Sequence, residues 1–252
     1  MAYGVFADVY DLFNEDADYE ALHAQVLARL QRFGVHDGIV VDLGCGTGDL
    51  TLLLAQDGYD MIGVDLSTEM LSILREKAEE AEQAGLLLLC QDLTELDLYG
   101  TVRAAVSTFD TYNHIGPLAV FRQALARAAL FIEPGGVLLF DMNTPYKHRC
   151  VLGNRTFELE AEGVLCTWQN QYEAEAQRTK ITIHLQDEAG GNAETETFYE
   201  YSYTLEEIQK ACSAAGLCIV DLCDGESFGP LRPNSERYLI TAVKRTAQER
   251  KE

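Results

Sequence analysis

Basic residues are scarce in this chain: 19 Lys and Arg stand against 41 Asp and Glu, a formal net charge of −22 over 252 residues. A surface that negative repels phosphate backbones and anionic lipids, so neither nucleic acid nor membrane is expected as a partner. Long apolar runs are missing too. The longest aliphatic stretches, such as LLLLC at 86–90, are far too short to span a bilayer. The start, MAYGVFADVYDLFNEDADYE, has no basic segment followed by an apolar one, so no signal peptide is expected. Seven cysteines are odd in number and form no CxxC pair, which argues against a disulfide framework or zinc knuckle and fits a reducing cytoplasm. Internal repeats and low-complexity segments are also lacking. What remains is 47% hydrophobic and 24% charged, the composition of a globular protein with a sizeable core. A cytoplasmic enzyme or small-ligand binder is expected.

Apolar periodicity orders the chain. Positions 5, 6, 9, 10, 12 and 13, then 22, 26, 27 and 30, follow helical spacing around a polar NEDAD break, so 1–36 is expected to form a helical cap. From 38 onward, short β-branched or aliphatic runs at 39–43, 61–64, 86–90, 102–107 and 137–141 alternate with amphipathic stretches. That rhythm predicts an α/β fold with a mostly parallel sheet covered on both faces, and with 86–90 as a buried strand. The rhythm breaks after Pro145. Phe157, Leu159 and Ala161, then Ile181, Ile183 and Leu185, then Tyr199, Tyr201 and Tyr203 alternate with polar residues, which predicts half-exposed antiparallel strands. DEAGGNAE reads as a turn between two of them, and T-L-E-E from Thr204 to Glu207 as a helix-starting capping box. The tail KRTAQERKE reads as a frayed helical end. The expected architecture is one domain, 1–252, with a small antiparallel sheet inserted at 146–203.

The segment VVDLGCGTGDL carries the most chemistry. A buried strand runs into a glycine-rich turn and then a helix, and glycines there allow positive φ and close approach of a ligand to the backbone. The rival is a dinucleotide fingerprint, GxGxxG. Here Asp49 holds the place of its third glycine, and an acidic residue at that helix mouth disfavours pyrophosphate. Asp42 suits a cationic group instead. Asp65, 21 positions after Gly44, ends the second strand, where a carboxylate can accept both hydroxyls of a ribose. Asp92, after the third, could accept an adenine amino group. Taken singly, each carboxylate could be a turn or cap residue; the ordered series at strand ends is the specific signal.

Residues 39–142 resemble the core of class I S-adenosylmethionine-dependent methyltransferases, a Rossmann-like doubly wound fold. VVDLGCGTGDL resembles their first motif, GVDLSTEML the second and QDL the adenine-side motif. AAVSTFDTYNHI resembles the segment after the fourth strand, and FIEPGGVLLFDMN the one leading into the fifth. The start, from Tyr3 to Tyr19, and the inserted sheet are similar to a subgroup of small-molecule enzymes that includes sugar N-methyltransferases. The resemblance implies S-adenosylmethionine as cofactor. Asp42 with the Gly44–Cys45–Gly46 backbone would hold its methionine end, and Asp65, with Leu66 and Met70 beside it, the ribose. Gln91, Asp92 and Leu93 would surround the adenine, and Ser107, Thr108 and Phe109 the sulfonium side. Cys45 is expected to be a small residue that fits the loop, not a reactive thiol.

Methyl transfer is an in-line displacement in which the protein aligns the acceptor and excludes water; a base is needed only when the acceptor arrives protonated. His114 is the candidate base, histidine being the residue type most used for proton transfer; a loop histidine capping the next helix is the alternative. Asp110 is an acceptor-orienting group or a cap. Tyr3 and Tyr10 could fold across the cofactor mouth, although core packing also explains Tyr10. Tyr112, Trp168 and Tyr201 are the acceptor-side candidates, with packing or an oligomer interface as their alternative. His148 and Arg149 could reach an anionic acceptor group. No compact ligand cluster is visible, so no metal is expected. The expected activity is methylation of a small molecule, more readily an amine than an oxygen acceptor, by a monomer or homodimer. A protein that binds the cofactor without transfer is the alternative; a dehydrogenase is disfavoured by Asp49.

Overall fold

The computed structural model describes residues 7–13, 18–187 and 193–246; Tyr3, residues 188–192 within the DEAGGNAE turn and the end of the tail lie outside them. Two helices, α1 (Ala7–Phe13) and α2 (Tyr19–Arg32), precede the sheet, and Asp18 caps α2 by accepting the Ala21 N–H at 2.8 Å. Then β1 (Ile39–Leu43), α3 (Asp49–Gln56), β2 (Asp60–Asp65), α4 (Thr68–Glu80), β3 (Leu87–Cys90), β4 (Val102–Ser107), α5 (Leu118–Phe131) and β5 (Ile132–Asn143) alternate. Four strands follow, β6 (Thr156–Ala161), β7 (Val164–Glu173), β8 (Arg178–Asp187) and β9 (Ala193–Tyr201), and then α6 (Leu205–Ala214), β10 (Leu217–Asp224) and β11 (Arg237–Lys244). The main sheet runs β10-β11-β5-β4-β1-β2-β3, parallel from β5 to β3 and antiparallel where β11 pairs with β5 and β10. Its order reverses between β1 and β4, the switch point at which open α/β sheets bind ligands.

The central strands are apolar because both faces are covered: Val40, Val41 and Leu43, like Ala104, Ala105 and Val106, are fully buried. One expectation fails here. The LLLLC run is not a buried strand but the sheet's edge, with Leu87 44% exposed. An edge strand has one neighbour and thinner helical cover, which hydrophobicity alone does not reveal. The capping box expected at Thr204 is present, and a second helix start is capped as well. Ser67 accepts the Met70 N–H, and Thr204 and Glu207 close a reciprocal box at the start of α6. No helix among the described residues is long and apolar enough to cross a membrane.

The insertion is a four-stranded antiparallel meander, β6 (Thr156–Ala161), β7 (Val164–Glu173), β8 (Arg178–Asp187) and β9 (Ala193–Tyr201). One face gathers Cys166, Ile181, Ile183, Leu185 and Phe198, packed against Val9, Tyr10 and Phe13 of α1. Each such burial contributes roughly 1.5–3 kcal/mol for a full-sized aliphatic or aromatic side chain. The first helix is thus the insertion's core partner, and the two form one layer beside the switch point.

Candidate active site

A cleft of about 420 Å³ opens at the carboxyl ends of β1, β2 and β4. Its floor is the glycine turn. Gly44 and Gly48 adopt φ of +76° and +88°, and a Cβ on them would lie 2.3 Å from Thr111 and 1.9 Å from Leu74, so neither backbone nor space admits a side chain. A Cβ on Gly46 would meet nothing within 4 Å. The turn is pinned by the Gly44 and Cys45 N–H groups donating to the Val64 carbonyl at 2.7 and 3.1 Å.

Asp65 locks the same turn. One carboxylate oxygen accepts the Gly46 N–H and the other the Ser67 N–H, both at 2.9 Å. Burial still raises its pKa above the usual carboxylate value. Asp42 is deeper, 2% exposed, and accepts the Thr51 hydroxyl at 2.6 Å. Burial pushes it up to about 7, and the nearby Asp65 charge adds to the shift. Asp49 does not stand alone at the helix mouth: Lys77 lies 2.8 Å from it and 2.8 Å from Asp11, while the Thr47 hydroxyl donates to Asp11 at 2.6 Å. Lys77 therefore offsets part of that negative charge, and Asp11 with Asp49 keeps the helix mouth net acidic. Gln91 folds back on the Asp97 backbone, and Asp92 accepts the Thr94 N–H at 2.7 Å; both line the cleft, with Leu66, Met70 and Leu93.

The other end is built from side chains that are distant in sequence. Phe109 and Asp110 take consecutive left-handed conformations, φ +54° and +55°, each of which costs about 1–3 kcal/mol for a non-glycine residue. Both N–H groups donate to the Asp141 carboxylate, at 2.9 and 2.6 Å, and Arg237 binds Asp141 at 2.9 Å and Asp110 at 2.8 Å. That network holds the strained turn. Burial would raise the Asp110 pKa, but Arg237, with Lys147 and His114, holds it below the usual range. The turn feeds a 3-10 helix, Thr111–His114, which places His114 on the cleft wall with Nε2 3.8 Å from Asp110 and its ring 5.3 Å from that of Phe198. Behind it is buried Glu200, which accepts the Asn143 amide at 3.0 Å and whose pKa is raised by burial and by Asp110. Ligand atoms of Asp110, His114 and Glu200 lie within 4.8 Å of one another. This cluster was not legible as a compact spacing, because the fold brings its third member from 86 residues downstream.

Of the sequence candidates, Tyr10, Asp42, Gly44, Cys45, Gly46, Asp65, Leu66, Met70, Gln91, Asp92, Leu93, Thr108, Phe109 and His114 line the cleft. Four do not. Ser107 is fully buried and its hydroxyl donates to the Leu43 carbonyl at 2.8 Å, strapping β4 to β1. Tyr112 is turned by the 3-10 helix into the core, edge-on to Phe121 and Phe140. Tyr201 sits across from Arg178 on the outer face of the insertion, its ring over Gly116, because β9 turns Phe198 and Glu200 inward. Trp168 is on the inner face but one layer back, edge-on to Phe198. His148 is likewise withdrawn. It is fully buried, bonded to the Thr179 hydroxyl at 2.9 Å, and burial lowers its pKa to about 4; Arg149 is exposed and bonded to the Pro145 carbonyl. Sequence reasoning missed Tyr19, whose ring lies 4.8 Å from Phe109, and the wall of Thr111, Ile115, Gly116 and Val120. Position just after a polar break was the available signal for Tyr19.

Comparison with known proteins places this geometry. A methyltransferase-domain family model matches residues 40–136. The chain is 31% identical over 171 residues to YqeM of Bacillus subtilis, a methyltransferase by assignment, covering 68% of this chain and 67% of that protein. It is 26% identical over 231 residues to the dTDP-3-amino-3,6-dideoxy-α-D-glucopyranose N,N-dimethyltransferase of Streptomyces fradiae, covering 89% and 88%. The crystal structure of an S-adenosylmethionine-dependent methyltransferase from Clostridium acetobutylicum superposes with a TM-score of 0.86 at 28% identity, covering 98% of this chain and all of that one. S-adenosylmethionine is the cofactor of the fold and family matched. With its 3-2-1-4-5 parallel core, antiparallel final strand and glycine turn at the switch point, the chain belongs to the class I S-adenosylmethionine-dependent methyltransferases.

Proposed function

We propose that the protein methylates the nitrogen of a small-molecule amine, with His114 as the general base. The observation that carries the reading is the position of His114 on the cleft wall, backed by two carboxylates. The cofactor fits the rest. Gly46 leaves the turn open for a ligand to approach, Asp42 offers a buried carboxylate to an ammonium, and each Asp65 oxygen keeps a lone pair for a ribose hydroxyl. Gln91, Asp92 and Leu93 are placed to surround the base, and Tyr10, Tyr19 and Phe109 to exclude water above the reacting centre.

When bound, S-adenosylmethionine supplies a methyl carbon activated by a positive sulfur. An ammonium has no lone pair, so His114 accepts the acceptor's proton before or during transfer. Transfer would place the freed lone pair in the new N–C bond and leave the pair of the cofactor's C–S bond on sulfur. Thr108 and Phe109 hold the wall beside the reacting atoms, and the Asp141–Arg237 network keeps that wall from relaxing. Resemblance to the Streptomyces fradiae N,N-dimethyltransferase supports nitrogen over oxygen. The test is S-adenosylhomocysteine release with a panel of amines and alcohols, followed by mass spectrometry of the product. Transfer to alcohols alone would overturn the reading, as would tight cofactor binding without transfer to any panel member.

A further inference from the structure

The charges around the cleft narrow the acceptor. Among the described residues, four carboxylates line it, Asp42, Asp49, Asp65 and Asp92, and no lysine or arginine does. Of the segments outside the described residues, 1–6, 14–17 and 188–192 contain no basic residue, and 247–252 contains Arg250 and Lys251. The nearest cations are committed. Lys77 is shared between Asp11 and Asp49, and Arg237 between Asp110, Asp141 and Glu226. Lys147 acts on Asp110 and Glu200 through space, and those two carboxylates outnumber it.

With the acceptor nitrogen at His114, a phosphate on the same molecule would lie within a few ångströms of Asp110 and Glu200, where Lys147 is one positive charge acting on two carboxylates. In a partly desolvated cleft, like charges a few ångströms apart repel far more strongly than in water. An ammonium in the same place meets compensating charge. We infer that the acceptor carries no phosphate: it is a free neutral or cationic amine, and not a nucleotide-linked amino sugar of the kind named for the Streptomyces fradiae relative. The inference rests on the amine reading above and adds the acceptor's charge class to it.

The test compares matched acceptors on the full chain. Methyl 3-amino-3,6-dideoxyglucoside, cyclohexylamine and putrescine are set against dTDP-3-amino-3,6-dideoxyglucose, by S-adenosylhomocysteine release and by calorimetry with S-adenosylhomocysteine present. At least one phosphate-free amine should bind and be methylated with a kcat/KM at least about 100-fold above that of the dTDP-linked sugar, the ratio expected of one uncompensated charge pair. Glu200→Gln at pH 8 should raise the KM for the cationic acceptor severalfold and leave cofactor affinity unchanged, a split that loss of folding would not produce. Preference for the dTDP-linked sugar overturns the inference, as does failure of every phosphate-free amine to bind. An unchanged KM in Glu200→Gln also counts against it. Methylation of phosphate-free alcohols alone would sink the amine reading while leaving the exclusion of phosphate standing.

Discussion

The two ends of the cleft are made of different material. Around the glycine turn, the wall is backbone and strand termini: positive-φ glycines, N–H groups on the Val64 carbonyl, and Asp65 closing a loop from 19 residues away. Around His114, it is side chains that the fold collects: Asp141 from β5, Glu200 from the insertion and Arg237 from β11. The first kind is specified locally, so it takes the same form wherever the motif occurs. The second depends on packing between layers, so it can change with the insertion while the glycine-turn end stays fixed. Thr111 joins them, since its side chain fills the space that a Cβ on Gly44 would need.

The largest expected effect lies at the variable end. His114→Phe keeps a ring against Phe198 and removes the proton acceptor, and loss of a general base costs about 10²- to 10⁴-fold in rate. Cofactor affinity should be unchanged, and the rate deficit should shrink as rising pH deprotonates the amine itself. A pH–rate profile against wild type reads both. Near-equal rates at neutral pH would make both walls mere containers.

Asp65→Ala breaks the comparison from the other side. Hydrogen bonds to a charged group are worth about 1.5–3 kcal/mol each, and here the carboxylate also holds the Gly46 and Ser67 N–H groups. Cofactor affinity should fall about 10- to 100-fold by calorimetry, with near-UV circular dichroism unchanged. Unaltered affinity would return Asp65 to the role of a turn residue.

That contrast also explains what could be read from sequence. Period and turn chemistry gave the elements of the core and their order, and the strand-end carboxylates marked the glycine-turn end of the cleft, because each signal sits within a few residues of its effect. The acceptor end failed where orientation depended on distant partners. The Tyr199–Tyr201–Tyr203 alternation suggested an aromatic face toward the site, yet register with Ile181 and Thr179 turns Phe198 and Glu200 inward instead. A slip of one residue in a strand exchanges its faces, and pattern alone does not say which face the fold uses. Tyr112 went the same way, carried into the core by a 3-10 turn that its neighbours' strain imposes.

The parity of β9 gives a sharper test of the acceptor wall. Phe198→Leu removes the ring beside His114 and should lower kcat/KM for the acceptor about tenfold, the cost of roughly 1.4 kcal/mol. Tyr199→Leu, on the outer face against Arg178, should change it less than about twofold. Equal effects would mean that the insertion acts on the site only through stability.

The smallest expected effect belongs to Asp42 and is a matter of sign. Burial raises its pKa to about 7, so without cofactor the carboxyl is largely neutral below that pH. If the ionised form receives the cofactor's ammonium, apparent affinity scales with the ionised fraction, roughly 9% at pH 6 and half at pH 7, a gain of about fivefold. Asp42→Asn should abolish that slope. The window stops at pH 7 because an α-amino group begins to lose its own proton near pH 7.7–8.0. Stability of the free protein is a poorer probe. A carboxyl with a raised pKa contributes stability at low pH that is lost as pH rises toward 7. Buried His148, lowered to about 4, contributes stability that is lost as pH falls below 6.5. The two slopes oppose each other over much the same range, so a melting curve would average them away. Calorimetric cofactor affinity at pH 6.0, 6.5 and 7.0 isolates Asp42, and a flat wild-type profile would mean that its carboxyl serves the Thr51 hydroxyl and the turn, not the ligand.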